Sequence, residues 1–481
     1  MALSRIGQVE PVTALSTSNS RALRIAAVLV LRRLRNEQVA IFLQDKDEYI
    51  VTEAARAIND DLSIEKALPA LASTLTEKRF TSEPLLRRGI NACLRVGGEK
   101  EMDVLIAFAK RTELPAAIRA EALATLGVWA NPSTLDRVDG RLRGKIERDP
   151  AAVTSKVLSL GTSFLQSKDP DIQVAAAKMF SDLGIKAYNE DLAKLLGNSS
   201  PLVRSAAITS LNSLKYEKIE SVIKKGMEDK DPSVRAVAIG LLNELDITKE
   251  NLPGIVKPIF QNGTVREQQE LLRVLGKMPV EKSEPVLEGL IADLAGKKLP
   301  PTITLDLMEA VDSTHSEKLI AQLNPLRATG GKTDSFIEAL YGGDSRSAWW
   351  FFMTNSTAQC VRCHAINGEG GTVGPDLGQI GDQLSREDLL RALVEPSARL
   401  APGYGTVKLT LTDGQTVTGI LMEESADDLI IKTSDAEPLE VNTSRISKRE
   451  NTPSAMPPMG TLMSKREIRD MVELLANLKK K

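Results

Sequence analysis

The sequence predicts a mainly helical protein in two parts: a helical solenoid over residues 1–335, and a domain over residues 341–481 that contains a small β insertion at 406–449. Three observations lead to this prediction. An apolar helical pattern recurs with a period near thirty residues, aromatic residues make up only 4% of the chain, and glycine becomes frequent after residue 328. The 481 residues are enough for several domains.

The repeat is clearest where a helix-start signal returns. Pro170, Pro201 and Pro232 lie 31 residues apart, and each follows an Asp or Ser that can cap a helix. Val, Ala and Leu then recur at helical spacing and define one apolar face. Because a second amphipathic helix completes the unit, for example at 219–227, the pattern predicts a solenoid of stacked helix pairs. An unrelated helical bundle is the alternative.

This pattern resembles the short kind of HEAT repeat, through the D-x-x-V-R-x-x-A sequence that begins at Asp231. The resemblance extends over most of residues 20–335 and is best at 168–246. It implies a solenoid of paired α-helices. The pattern is irregular at 130–167 and after about residue 250, so no repeats are counted there.

Composition excludes several classes of function. The formal net charge of −2 argues against a nucleic-acid-binding surface and against a polybasic membrane patch. No run of eighteen apolar residues exists, so we expect no membrane span. The apolar run 25–31 is short, has arginine on both sides and lacks a cleavage site, so it indicates a helix core rather than a secretion signal. Cys93 lies in an apolar stretch and is expected to be buried.

Cys360, Cys363 and His364 form the Cys-x-x-Cys-His arrangement that attaches c-type haem. Two thiols three residues apart can reach both vinyl groups of one porphyrin, and the next residue places its imidazole under the iron. A thioredoxin-like site would need a preceding strand and would give His364 no role. A structural zinc site needs four ligands, yet the other Cys and His, Cys93 and His315, are far away in the sequence. We therefore predict one covalent haem c.

The surrounding region resembles a class I cytochrome c. The resemblance rests on a first helix at 347–355, a Gly-Pro-x-Leu segment at 374–377, a helix at 386–394 that starts after Ser385, and a final helix at 465–478 with a capping box. It implies that the carbonyl of Pro375 accepts a hydrogen bond from the haem-bound imidazole, and that Leu377 belongs to the cofactor-binding set.

The resemblance also implies a methionine ligand on the loop before the final helix. We assign Met456, which is followed by proline, so that His364 and Met456 bind the iron. Met459 is the first alternative, but it precedes Gly460, which we expect to be a more mobile place for a ligand. His315 is a third candidate. His/Met ligation leaves no open position on the iron and raises the reduction potential, which implies single-electron transfer and no catalytic residue of its own.

The stretch 406–449 has the pattern of β-structure. Val407, Leu409 and Leu411 alternate with polar residues before an Asp413-Gly414 turn, which predicts a hairpin. Further short strands are expected near 429–431, 439–441 and 446. A compact class I cytochrome has no sheet here.

Haem motif, solenoid and insertion together resemble large HEAT-repeat cytochromes of planctomycete-type bacteria, a group often described as membrane-bound dehydrogenases. The matching residues are Gly342-Gly343-Asp344, Cys360 to His364, Gly370 to Leu377, Leu389-Leu390, Glu395-Pro396-Ser397, Pro402-Gly403-Tyr404, Asp413-Gly414, Gly419 and Met456-Pro457. Ala348 stands where the group usually has glycine.

The resemblance implies a periplasmic or otherwise exported electron carrier with a redox partner protein. Its members usually have a secretion signal and an N-terminal propeller, so we expect this chain to be N-terminally incomplete or split from such a neighbour. One alternative is the electron-accepting part of a sugar- or alcohol-type dehydrogenase whose catalytic propeller lies elsewhere. Another is an interaction scaffold without a working haem site.

Overall fold

The computed structural model describes residues 7–433 and 437–480. The chain forms two compact units, Met1–Glu244 and Leu245–Lys481, and each is described by itself. Both are mainly helical, and the second also contains small sheets, which confirms the predicted fold class. The predicted change of domain at residues 335–341 lies inside the second unit.

The first unit is a stack of helices in which alternate long helices pack on one another. The helices are α1 Glu10–Thr13, α2 Arg21–Leu34, α3 Glu48–Asn59, α4 Leu68–Ser73, α5 Glu83–Val96, α6 Glu99–Ala109, α7 Ala116–Gly127, α8 Pro150–Ser159, α9 Pro170–Asp182, α10 Asn189–Lys194, α11 Pro201–Ser213, α12 Ile219–Met227 and α13 Pro232–Ile239. Helices α3, α5, α7, α9, α11 and α13 pack in succession, while α4, α6, α10 and α12 pack beside them as the second helices of the repeats.

The repeated prolines open helices, as predicted. Pro170, Pro201 and Pro232 are the first residues of α9, α11 and α13. The capping prediction is correct for Asp231, whose carboxylate accepts from the backbone N–H of Ser233 at 2.9 Å. It is wrong for the residues before α9 and α11, which make no side-chain cap. Before α9 the carboxylate accepts instead from Arg119 at 3.0 Å.

Arginine–aspartate pairs recur between the repeats. Arg24 donates to Asp45 and Arg204 donates to Asp229, each at 2.7 Å, and all four side chains are largely buried. Asp45 and Asp229 hold matching positions in two Asp-Lys-Asp sequences. The guanidinium of Arg204 lowers the pKa of Asp229. Removing one partner of a buried pair leaves the other charge uncompensated, so these pairs help to define how the repeats stack.

The irregular segment between α7 and α8 is held by Arg143. Its guanidinium donates to the carboxylates of Asp136 at 3.1 Å and Asp139 at 2.8 Å. It also donates to the backbone carbonyls of Asn59 at 2.7 Å and Asp61 at 2.5 Å, at the end of α3. The Asp136 side chain is fully buried. A polar network thus replaces the repeat pattern here.

Two predictions about the first unit's core are confirmed. Cys93 is buried, and burial raises the pKa of its thiol to about 12, so it behaves as a small apolar residue. The run 25–31 lies within α2, and its residues Ala27, Val28, Val30 and Leu31 are buried, as expected for helix core.

The second unit begins with further helices and continues into the C-terminal domain. Its helices are α14 Leu252–Asn262, α15 Val265–Leu275, α16 Val280–Ala295, α17 Thr304–Thr314, α18 Glu317–Leu323, α19 Ser345–Thr354, α20 Cys360–Cys363, α21 Ile380–Gln383, α22 Arg386–Val394 and α23 Lys465–Asn477. Its strands are β1 Ala365–Ile366, β2 Glu369–Gly370, β3 Thr406–Leu411, β4 Thr416–Glu424, β5 Asp428–Lys432, β6 Leu439–Asn442 and β7 Ile446–Asn451.

The predicted β insertion forms one antiparallel sheet with strand order β6-β5-β4-β3-β7. The predicted hairpin joins β3 to β4 through Gly414, whose φ of +83° suits glycine. One face of the sheet has its own small apolar core, which includes Leu400, Leu409, Leu421 and Ile431.

Helix α23 holds the C-terminal domain together. It begins with the predicted capping box of Ser464 and Glu467 and packs against α19 and α22. A Cβ on Gly343 would meet the backbone oxygen of Arg469 at 2.4 Å, so glycine lets the chain cross this helix closely. The Arg469 side chain is buried and donates to the buried Asp306 of α17 at 2.6 Å. This pair fixes α23 against α17.

Candidate functional site

An apolar cleft opens in the second unit, between α19, α20, α22, α23 and the loops that follow α20 and precede α23. The predicted cofactor-binding residues Cys360, Cys363, His364, Pro375, Leu377 and Met456 all line it. The cleft has a volume of about 280 Å³. The structure therefore brings together, on one surface, residues that the sequence separates by almost one hundred positions.

The two cysteines occupy the single turn of α20. Gln359, with a φ of +49°, turns the chain into this helix. Both thiols are free. Cys360 is half-buried against the domain core, and burial raises the pKa of its thiol, whereas Cys363 is exposed. A helix precedes this turn rather than a strand, which argues against the thioredoxin-like alternative.

His364 is oriented by a backbone carbonyl. Its Nδ1 lies 3.0 Å from the oxygen of Pro375. A carbonyl oxygen only accepts hydrogen bonds, so Nδ1 carries the proton in this contact. The other ring nitrogen, Nε2, then has a free lone pair in the neutral imidazole, which is the form that binds a metal.

Glycines let the following loop close over the motif. A Cβ on Gly374 would lie 2.6 Å from Cε1 and 2.8 Å from Nδ1 of His364. A Cβ on Gly371 would lie 2.0 Å from the backbone oxygen of Arg362. The amide of Gly374 also donates to the carbonyl of Cys363 at 2.7 Å. Side chains larger than hydrogen at these positions would push the loop away from the imidazole.

Asp376 fixes the loop that carries the Pro375 carbonyl. Its carboxylate accepts backbone N–H bonds from Gly378 at 2.7 Å, Gly368 at 2.7 Å and Asn367 at 3.2 Å. The amides of Gly378 and Gly368 lower the pKa of this carboxyl group. Sequence reasoning gave Asp376 no role, although its place directly after Pro375 was the available signal.

Several methionines line the cleft. Met456 is half-buried, and its amide donates to Ser454 Oγ at 3.1 Å. Met459 is buried in the domain core and also reaches the cleft, as do Met463 and Met471. Gly460, which follows Met459, packs closely against the ring of Phe336, since a Cβ on Gly460 would lie 2.8 Å from the Cζ of that ring.

The remaining candidate ligands are not among the residues that line the cleft. His315 is exposed and ends α17 with a φ of +54°. Cys93 is buried in the first unit. Over residues 7–433 and 437–480, no group of three or more His, Cys, Asp or Glu side chains is arranged to hold a metal ion, as the zinc alternative would require. Over the same residues, no helix is long and apolar enough to cross a membrane.

The residues of the cleft fit a c-type haem. The donor set contains two thiols, an imidazole held through Nδ1, and thioethers, all on an apolar surface. The close approach that Gly374 permits places the imidazole ring beside the loop that orients it. Thiol, imidazole and thioether are the groups that attach and ligate haem in c-type cytochromes.

Comparisons with known proteins concern the helical part. Residues 157–243 match the family model of HEAT repeats. A search of curated proteins finds no match. Among solved structures, the chain is similar to a homology model of the full-length AP-3 complex in an intermediate open conformation, with a TM-score of 0.39 and 11% identity over 72% of this chain and 69% of that chain. The sequence match to HEAT repeats thus falls where α9, α11 and α13 pack in succession.

Proposed function

We propose that the chain is an electron-transfer protein that carries one covalent c-type haem in the cleft of its second unit and also contains a HEAT-repeat scaffold. The observation that carries the proposal is the contact between His364 and Pro375. It fixes the imidazole through Nδ1 at a cleft of apolar lining that also presents two thiols and a thioether.

Each residue has a separate task in this proposal. Cys360 and Cys363 would hold the haem through thioether bonds, and His364 and Met456 would bind the iron. When bound, such a group supplies reversible one-electron transfer. The Pro375 carbonyl keeps the imidazole in one orientation and one tautomer. The apolar lining would shield a bound haem from water, and burial of this kind is one of the protein's means of setting a reduction potential.

The proposed role is that of a carrier between proteins. With His364 and Met456 both bound to the iron, no ligand position would remain for a substrate or for oxygen. The chain would accept one electron from a reduced donor protein and pass one to an oxidised acceptor. The resemblance of residues 341–481 to the haem-binding region of large HEAT-repeat cytochromes supports this proposal, and with it an exported location, since covalent haem attachment implies an exported protein.

Covalent haem attachment is the first test. The full chain is exported to a compartment that matures c-type cytochromes, and a pyridine haemochrome spectrum is recorded. We expect one haem per chain that survives denaturing electrophoresis. The double variant Cys360→Ala, Cys363→Ala should lose it completely, whereas Cys93→Ala, which removes a buried thiol of the first unit, should keep it. A wild-type chain without haem, or a double variant with it, contradicts the proposal.

A further inference from the structure

One cationic side chain stands on an otherwise uncharged cleft. Among the described residues that line the cleft, Arg399 carries the only full charge, since no Asp, Glu or Lys lines it. Arg399 is exposed and makes no ion pair or hydrogen bond to any residue in 7–433 or 437–480. The guanidinium is planar, always charged and shaped to bind a carboxylate through two parallel hydrogen bonds.

We infer that Arg399 pairs with the carboxylate arms of the haem, and that the β insertion serves to hold it there. This inference rests on the proposed function, because it deepens the description of the same cleft. A haem carries two propionate groups, and a bound anion finds no other fixed positive charge among the described residues of the lining. The two propionate groups would therefore prefer the part of the lining that carries Arg399.

The sheet anchors the segment that carries Arg399. The amide of Gly403 donates to the carbonyl of Leu421 in β4 at 2.6 Å, and the amide of Leu421 donates to the carbonyl of Gly405 at 3.1 Å. Leu400, which directly follows Arg399, is buried in the apolar core of the sheet. Backbone pairing and burial thus fix the chain on the C-terminal side of Arg399.

The edge strand β7 anchors the chain on the N-terminal side of Arg399. Asn451, the last residue of β7, donates to the carbonyls of Ser397 and Ala398, each at 3.2 Å. The amide of Ser454 donates to Ser397 Oγ at 3.0 Å, and Ser454 also begins the loop of Met456. The sheet therefore ties the wall that carries Arg399 to the loop that carries the assigned methionine ligand.

The charge of Arg399 should affect the reduction potential. The oxidised haem carries one positive charge more than the reduced haem, so a nearby cation disfavours oxidation. A carboxylate that loses its cationic partner stabilises the oxidised form as well. Both effects have the same sign, so replacing Arg399 by a neutral residue should lower the potential.

Spectroelectrochemical titration of the haem-loaded full chain tests the inference. We expect Arg399→Gln to lower the equilibrium constant of reduction by about threefold to tenfold, where tenfold equals about 59 mV for one electron. Arg399→Lys keeps the charge and should stay within about twofold of the wild type. Arg391→Gln makes the same charge change at an exposed position of α22 outside the cleft lining and should shift the constant less.

The outcomes are distinct. A potential of Arg399→Gln equal to that of the wild type, or equal to that of Arg391→Gln, overturns the inference and leaves haem attachment intact. Should Arg399→Gln fail to yield haem-bearing protein, Arg399→Lys decides, because a fall as large as tenfold in that variant contradicts a role based on charge. Absence of haem from the wild type instead contradicts the proposed function itself.

Discussion

Arginines of the first unit and the arginine of the cleft differ in what they bind. In the first unit, Arg24, Arg88 and Arg204 each donate to a carboxylate of the same chain at 2.7 Å in a largely buried pair. On the cleft, Arg399 has no partner among the described residues. The first kind supports the stacking of helices, whereas the second is free to meet a ligand. Burial and partner, not residue type, separate the two roles.

The apolar surfaces of the two regions differ in the same way. The repeats of the first unit bury Phe42, Phe108 and Phe180 in one continuous core formed by their own side chains. The C-terminal domain turns apolar side chains such as Leu377 and Val373 toward an open cleft, and Val373 is 68% exposed. We therefore expect the first unit to fold independently of any cofactor and the C-terminal domain to gain stability when the cleft is filled.

Arg143 is expected to give the largest effect in a test of whether the first unit folds without a cofactor. We expect residues 1–244 expressed alone to give a strongly helical circular dichroism spectrum, and Arg143→Ala to lower their free energy of unfolding by about 3 kcal/mol, because the buried Asp136 loses its counter-charge. Urea unfolding measures this. Arg141→Ala removes an ion pair from a side chain that is 56% exposed and should cost less than about 1 kcal/mol. If Arg143→Ala and Arg141→Ala lower the free energy of unfolding equally, the buried network around Arg143 does not stabilise the unit as proposed.

Met456 offers the matching test of the cleft. We expect Met456→Ala to remove the weak far-red absorption band of the oxidised protein and to lower the potential by more than about 100 mV, because axial ligands set haem potentials over a range of about 0.8 V. The haem should remain attached. Met459→Ala is the control and should keep the band. If Met459→Ala alone removes it, the ligand is Met459, and if neither does, the His/Met proposal is wrong.

Gly374 tests the geometry that orients His364. Gly374→Ala places a methyl group within 2.6 Å of the imidazole ring, so we expect a loss of about 1–3 kcal/mol in the stability of the C-terminal domain and no change in the first unit. Thermal unfolding followed at the haem band measures this loss. Gly289→Ala in α16, where nothing lies within 4 Å, should be neutral or slightly stabilising. A neutral Gly374→Ala would show that the loop yields easily.

The smallest expected effect is the loss of stability of the first unit at low pH. Burial alone would raise the pKa of Asp136, but the amides of Val138 and Asp139 and the guanidinium of Arg143 outweigh it and lower that pKa below its ordinary value of 3.8. A lowered pKa contributes stability above the unfolded value that is lost as pH falls through the folded value. We expect residues 1–244 to lose stability below about pH 4, and the loss to be smaller in Asp136→Asn. If Asp136→Asn loses stability with falling pH as steeply as the wild type does, Asp136 is not the group responsible for the loss.

Local rules predicted much of the fold and most of the candidate site. Helix starts at Pro170, Pro201 and Pro232, the capping box at Ser464, and the hairpin turn at Gly414 depend on neighbours within a few residues. The structure also places the whole predicted cofactor-binding set on one cleft. The helix starts, the capping box and the turn were predictable because each is encoded within one short stretch of chain, whereas Met456 was assigned from the resemblance to class I cytochromes c.

Long-range partners explain what the sequence did not predict. Asn91 reaches Asp136 across 45 residues, and Arg469 reaches Asp306 across 163. Neither separation matches a repeat or a helical period that could have indicated the contact. The capping prediction at Asp169 failed for the same reason, since Arg119 binds that carboxylate from a different helix. Arg399 went unnoticed because its significance depends on which other side chains line the cleft.

Helix α23 has a consequence for the order in which the cleft is made. It supplies Met471 and Leu475 to the lining, and its Arg469 docks on Asp306. Every other part of the lining precedes this helix in the sequence, so the ribosome completes those parts first. The cleft therefore lacks one side until residues 465–477 have been made, and docking of α23 is the event that completes its lining.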